Sequence, residues 1–106
     1  MEKRRVVITG IGMVTPLGND VSASWENLLK GKSGADFITH FDASKFKTRF
    51  ACEVKNLDIS SILDPKEARR YDRCIHYAIK SAEEAMLDAQ IDVNQEDALR
   101  CGIIYG

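Results

Sequence analysis

Long apolar stretches are missing from this chain, and no run in its 106 residues approaches the ~20 that a bilayer-crossing helix needs. A transmembrane helix is therefore excluded, and no membrane partner is expected. Charge of one sign is missing too. Fifteen Lys and Arg stand against sixteen Asp and Glu, a formal net charge of −1. Nothing global attracts nucleic acid, which is not expected as a partner. Proline occurs twice, and low-complexity tracts and internal repeats are absent, so no linker or second domain is marked. The three cysteines, Cys52, Cys74 and Cys101, lie far apart. An odd number without close pairs gives neither a disulfide framework nor a metal centre. They are expected to be reduced, buried thiols of a cytoplasmic protein. The chain runs from Met1 into an apolar segment within five residues, so no signal or transit peptide is expected.

What is present reads as one small α/β domain, long enough to bury roughly two thirds of its unfolded surface. Val6-Val7-Ile8-Thr9 is a β-branched run free of charge, as in a strand buried on both faces. Gly10 and Gly12 end it, and Thr15-Pro16-Leu17-Gly18 can continue neither strand nor helix. Asp20 or Asn19 caps a short helix whose apolar face is Val21, Trp25, Leu28 and Leu29, closed by Lys30 and Gly31. Residues 32–47 have no clean period and read as a long connection pinned by Phe37, Ile38, Phe41 and Phe46. A short strand is expected within 49–54. Asp64, Pro65 and Glu67 form the clearest helix start in the chain. Apolar residues then recur at Ala68, Tyr71, Ile75, Ala78, Ile79, Ala82, Ala85, Met86 and Ala89. Asp72 is a second capping residue, so the pattern fits either one helix or two with a break near Tyr71. A further helical turn between 94 and 100 and a buried strand at 101–106 complete the expected elements.

Strand, Gly10-Ile11-Gly12, then helix invites a dinucleotide-binding reading, but the third glycine of that fingerprint falls at Thr15 and Pro16 follows it. The helix also begins too late to aim its amino end at a pyrophosphate. Here the glycines are expected to let the backbone pack tightly against other segments.

A more specific pattern runs the length of the chain. The opening Val6-Val7-Ile8-Thr9-Gly10-Ile11-Gly12 is followed in order by Gly31-Lys32-Ser33-Gly34, Thr39-His40-Phe41-Asp42, Thr48-Arg49-Phe50-Ala51, Val54-Lys55-Asn56, Lys66-Glu67-Ala68-Arg69-Arg70-Tyr71-Asp72-Arg73 and Tyr77-Ala78-Ile79-Lys80-Ser81-Ala82-Glu83-Glu84-Ala85. This ordered series resembles the β-ketoacyl-acyl-carrier-protein synthases, and within them the synthase II branch that elongates fatty acids. Cys52 stands where that family usually has glycine, Cys74 where an aromatic is common, and His76 where glutamine is frequent.

The resemblance implies the amino-terminal portion, residues 1–106, of a thiolase-like layered α-β-α-β-α fold, incomplete in itself. It implies a decarboxylative Claisen condensation, acyl carrier protein as partner, a homodimer, and no cofactor or metal. The family's nucleophilic cysteine and its two histidines match no position here, so no catalytic residue is expected in this chain. Ala51-Cys52 imitates the nucleophile's context, but a strand-like stretch with the Glu53 carboxylate follows, unlike the electropositive helix terminus a reactive thiolate needs. His40 and His76 are expected in a loop, on a helix surface or in the core. The one functional patch the resemblance implies is Lys66, Arg69 and Arg70, a docking stripe for acyl carrier protein, extended by Arg73. Their i, i+3, i+4 spacing would place them on one helical face. The residues alone favour a solvated face laced by Asp64, Glu67 and Asp72, and it is the resemblance that turns the reading toward docking, for Lys66, Arg69 and Arg70 more than for Arg73. A carrier-binding module, or a silent relative that shapes chain length without catalysis, is the alternative function, and an independent small domain a third. Because residues 103–105 form an apolar strand with nothing to cover it, the chain alone is expected to associate, aggregate or swap strands.

Overall fold

The computed structural model of the protein describes residues 2–106. Its elements are α1 (Val21–Leu29), β1 (Ala35–Phe37), β2 (Phe50–Cys52), α2 (Pro65–Ala68), α3 (Arg73–Ala89) and a 3₁₀ turn (Ala98–Arg100). Helices and strands are mixed along the chain, an antiparallel strand pair lying between α1 and the α2–α3 pair.

Polar caps set the helices. Ahead of α1, Thr15 and Gly18 exchange main-chain hydrogen bonds of 2.9 and 3.2 Å, making the tight turn expected of Thr15-Pro16-Leu17-Gly18. The Thr15 hydroxyl also lies 2.8 Å from that of Ser24, a residue only 3% exposed. Asp20 then caps α1, its Oδ1 accepting from the Ala23 amide at 2.7 Å. At the far end Gly31 takes a left-handed φ of +66°, and its amide donates to the Leu28 carbonyl at 3.0 Å. That conformation suits glycine because no Cβ collides with the preceding turn.

Residues 32–47 depart from the expectation of a structureless connection. β1 lies inside them and pairs antiparallel with β2, Ala35 opposite Cys52 and Phe37 opposite Phe50. One strand of this pair sat under a pattern too short to show a period. Beyond it, Phe41 and Phe46 meet edge to face at 5.7 Å, and Ala43, whose carbonyl accepts from the Phe46 amide, is 8% exposed. Phe37, Phe41 and Phe46 nonetheless remain largely exposed, so the connection is pinned by local contacts and not by a core.

Of the two readings of residues 64–89, the structure takes the broken one. Asp64 Oδ1 accepts from the amides of Lys66 and Glu67 at 2.6 and 3.1 Å, and Pro65 opens α2. That helix lasts four residues. Asp72 starts α3 with its main-chain carbonyl, which accepts from Ile75 and His76 at 3.0 and 3.3 Å. α3 ends at Gln90, left-handed at φ 55°. The further turn expected between 94 and 100 is the 3₁₀ segment, capped by Asp97.

Burial is where the expectations fail. Residues 6–9 and 101–106 carry no strand assignment, and Val6, Ile8, Ile103 and Ile104 are almost fully exposed. Trp25, Leu28 and Leu29 are exposed as well, so the apolar face of α1 is uncovered. All three cysteines are free and exposed, against the expectation of buried thiols. A strand buried on both faces is a cooperative object: it needs neighbours on both edges and layers on both sides. Among the described residues the sheet has two strands, and neither pairs with these segments. The accessible surface of 9425 Å² far exceeds the ~6,000 Å² of a folded monomer of this mass. The radius of gyration, 17.5 Å, likewise exceeds the ~13 Å of a compact domain of this length. No helix among the described residues is long and apolar enough to cross a membrane.

Candidate functional site

The basic residues singled out in the sequence gather at the α2–α3 corner. Lys66 is the second residue of α2, Arg69 follows its last residue with helical angles (φ −71°, ψ −18°), and Arg70 lies in the connecting turn. The expected single helical face is corrected here: α2 stops at Ala68, before either arginine. Asp72 starts the next helix on its own carbonyl, which accepts from the Ile75 and His76 amides. The cations therefore stand on a bend, tightened by the Arg70 amide donating to the Glu67 carbonyl at 2.9 Å.

All three are exposed. Among the described residues, none of Lys66, Arg69, Arg70 and Arg73 is ion-paired. The lacing that Asp64, Glu67 and Asp72 could have supplied is not formed. Asp64 spends its carboxylate on main-chain amides instead. Unneutralised cations on a bend can attract an acidic partner, and salt screens such an attraction.

One contributor to this corner was not recognised in the sequence. His76, in the first turn of α3, brings ring atom Nε2 to 2.8 Å from the Ala68 carbonyl oxygen. The only available hint was a histidine four residues after a cap. His40 sits elsewhere, its Nδ1 3.4 Å from Glu53. The Glu53 side chain is 10% exposed and accepts from the Thr39 hydroxyl at 2.8 Å and from the Thr39 and His40 amides. Those bonds, the Thr39 hydroxyl foremost, hold its carboxyl below the usual range. Asp36 is held low in the same way by Lys55, at 2.9 Å.

Cys52 closes β2 rather than opening a helix. It lines an apolar groove of about 690 Å³ with Met13, Leu17, Trp25 and Leu28. The glycine loop is equally unsuited to phosphate. The Ile11 amide donates to Asp88 Oδ2 at 2.9 Å and the Met13 amide to Glu84 Oε2 at 2.8 Å, so a phosphate there would face two carboxylates. Among the described residues no cluster of His, Cys, Asp and Glu could hold a metal ion.

Comparison with known proteins assigns the class. Residues 3–106 match the model of the Beta-ketoacyl synthase, N-terminal domain, and the chain belongs to that family. More particularly, it is similar to proteins named 3-oxoacyl-[acyl-carrier-protein] synthase 2. It is 49% identical over 105 residues to that of Staphylococcus aureus (strain COL), covering 99% of this chain and 25% of the relative. With the Coxiella burnetii (strain RSA 493 / Nine Mile phase I) protein it shares 49% over 106 residues, 100% of this chain and 26% of the relative. The Vibrio cholerae serotype O1 (strain ATCC 39315 / El Tor Inaba N16961) protein is 46% identical over the same span and shares. The chain spans about a quarter of the length of the curated relatives it matches.

Proposed function

We propose that this chain serves as the amino-terminal part of an elongating 3-oxoacyl-acyl-carrier-protein synthase. The observation that carries the reading is its likeness, over almost its whole length, to relatives bearing that name. In the reaction a cysteine accepts the acyl chain, malonyl carrier loses carbon dioxide, and the resulting carbanion attacks the acyl thioester. Backbone N–H donors must hold the oxyanion. The nucleophile and the histidines that favour the enolate lie outside these residues. The chain's own share is scaffold and recognition.

As scaffold, the apolar segments 6–9 and 101–106 enter the sheets of a thiolase-like layered fold, a reading their large exposure in isolation supports. A cytoplasmic homodimer is the assembly that goes with this reading. As recognition, Lys66, Arg69 and Arg70 receive the acidic surface of acyl carrier protein, supported by their exposure and lack of ion-pair partners. Changing Arg69→Glu together with Arg70→Glu in the full-length gene product reverses two charges at the contact. The apparent KM for carrier-linked substrate is expected to rise about tenfold or more at low ionic strength, with kcat little changed. Unchanged kinetics at low salt would refute docking at this corner.

A further inference from the structure

We infer that His76 is a positioning residue for carrier recognition: it closes both ends of the three-residue connector that presents Arg69 and Arg70. This rests on the docking reading above and adds to it the group that holds the arginines in place.

The geometry is specific. The connector is Arg69-Arg70-Tyr71, between the last residue of α2 and the cap of α3. On its far side the His76 main-chain N–H donates to the Asp72 carbonyl at 3.3 Å. On its near side the His76 ring reaches back to the Ala68 carbonyl at 2.8 Å. A carbonyl oxygen only accepts, so Nε2 carries the proton and donates. That carbonyl belongs to a helix end, where main-chain acceptors lack intrahelical donors.

α2 needs such support. Four residues are far too few for a helix to persist on its own propensity. Its other polar anchors are the Asp64 cap at the opposite end and the Arg70 amide bond to the Glu67 carbonyl, and neither reaches α3. Without the ring bond, no hydrogen bond among the described residues ties α2 to α3 across the connector. Two long cationic side chains on a swivelling connector lose more freedom on binding than two on a fixed bend. The ring is partly buried while the arginines are exposed, so His76 acts behind the contact and does not itself meet the partner.

The test uses the full-length gene product with thioesters carried on acyl carrier protein and, in parallel, the same thioesters on pantetheine alone. Gln places an amide N–H near the position of Nε2; Leu fills the space without a donor. His76→Gln is expected to keep the carrier KM within about twofold of the parent, whereas His76→Leu raises it about three- to tenfold. The pantetheine reaction should stay unchanged for both. Parallel loss on pantetheine substrates, which a merely structural role predicts, overturns the inference. So does an unchanged carrier KM for His76→Leu in an enzyme where Arg69→Glu with Arg70→Glu raises it. If the arginine reversal itself has no effect, the docking reading fails and this one with it, an outcome distinct from the failure of His76 alone. Should His76→Leu fold poorly, His76→Asn serves. Its amide stops one bond short of the Ala68 carbonyl, so it should behave as Leu does; behaviour like Gln overturns the inference.

Discussion

Two extended, glycine-bearing segments of this chain have opposite fates. In residues 10–13 an ideal Cβ on Gly12 would lie 1.7 Å from the Ser81 carbonyl oxygen, and one on Gly10 2.1 Å from that of Ala85. The backbone thus lies directly on α3, and Ile11 and Met13 give their amides to Asp88 and Glu84. In residues 101–106, Gly102 and Gly106 have nothing within 4 Å of such a Cβ, and Ile104 is 101% exposed. Both segments are apolar; 101–106 reads as a strand, and 10–13 as the glycine-bearing end of one. The difference is that the first meets a helix face shaped for it. Carboxylates four residues apart on a helix are spaced about 6 Å along its axis, and alternate amides of an extended chain recur at about 6.6 Å, so the two repeats match. No such partner faces the second among the described residues.

The sharpest way to break this contrast is a methyl group. Gly12→Ala drives Cβ into a helix carbonyl that cannot yield without moving α3, and should destabilise by about 3 kcal/mol. In the 106-residue chain, where nothing faces Gly102, Gly102→Ala should stay within about 0.5 kcal/mol. Thermal unfolding of this chain reads both. Equal costs at the two positions would show that residues 101–106 are packed within it, and the contrast would fail.

A smaller effect is expected at Glu84. One carboxylate oxygen accepts from the Met13 amide, and the other from the Val21 amide at 2.9 Å, joining the glycine segment to the start of α1. Glu84→Gln leaves one acceptor for two amides and turns an NH₂ toward the other, at a cost of about 1–2 kcal/mol. Hydrogen exchange should quicken at Met13 or Val21 while 101–106 is unaffected. Unaltered protection at both amides would mean that the glycine contacts alone hold the segment.

The smallest effect is a pH response away from both segments. Hydrogen bonds keep Glu53 low, so its contribution is present above the ordinary carboxylate range and is lost as pH falls through the lowered value, below 4.5. The protection of the Thr39 and His40 amides, relative to their intrinsic exchange rates, should therefore fall as pH drops below 4.5 in the parent and not change with pH there in Glu53→Gln. Identical acid profiles would remove Glu53 as the hinge of that loop.

Local chemistry was legible. Asp20, Gly31, and Asp64 with Pro65 each act within a few residues of themselves, and each does what its type does at such a position. Gly10 and Gly12 were expected to permit close packing, though not against which helix. β1 was missed because three residues carry no period. Lys66, Arg69 and Arg70 were singled out by type and spacing, yet their geometry was misjudged, since the choice of Asp72 as a new cap over a continuous helix depends on how α2 and α3 meet. His76 was invisible as a contributor because its partner is a main-chain carbonyl, which has no sequence identity.

Capping, turns and family membership were thus decided by the order of residues alone, because each rests on groups close along the chain or on the series of motifs itself. Which apolar surfaces are covered, and where Lys66, Arg69 and Arg70 stand relative to one another, was decided only in three dimensions. Burial and orientation are properties of what lies opposite, and a side chain's type says what it can bury but not whether anything arrives to cover it.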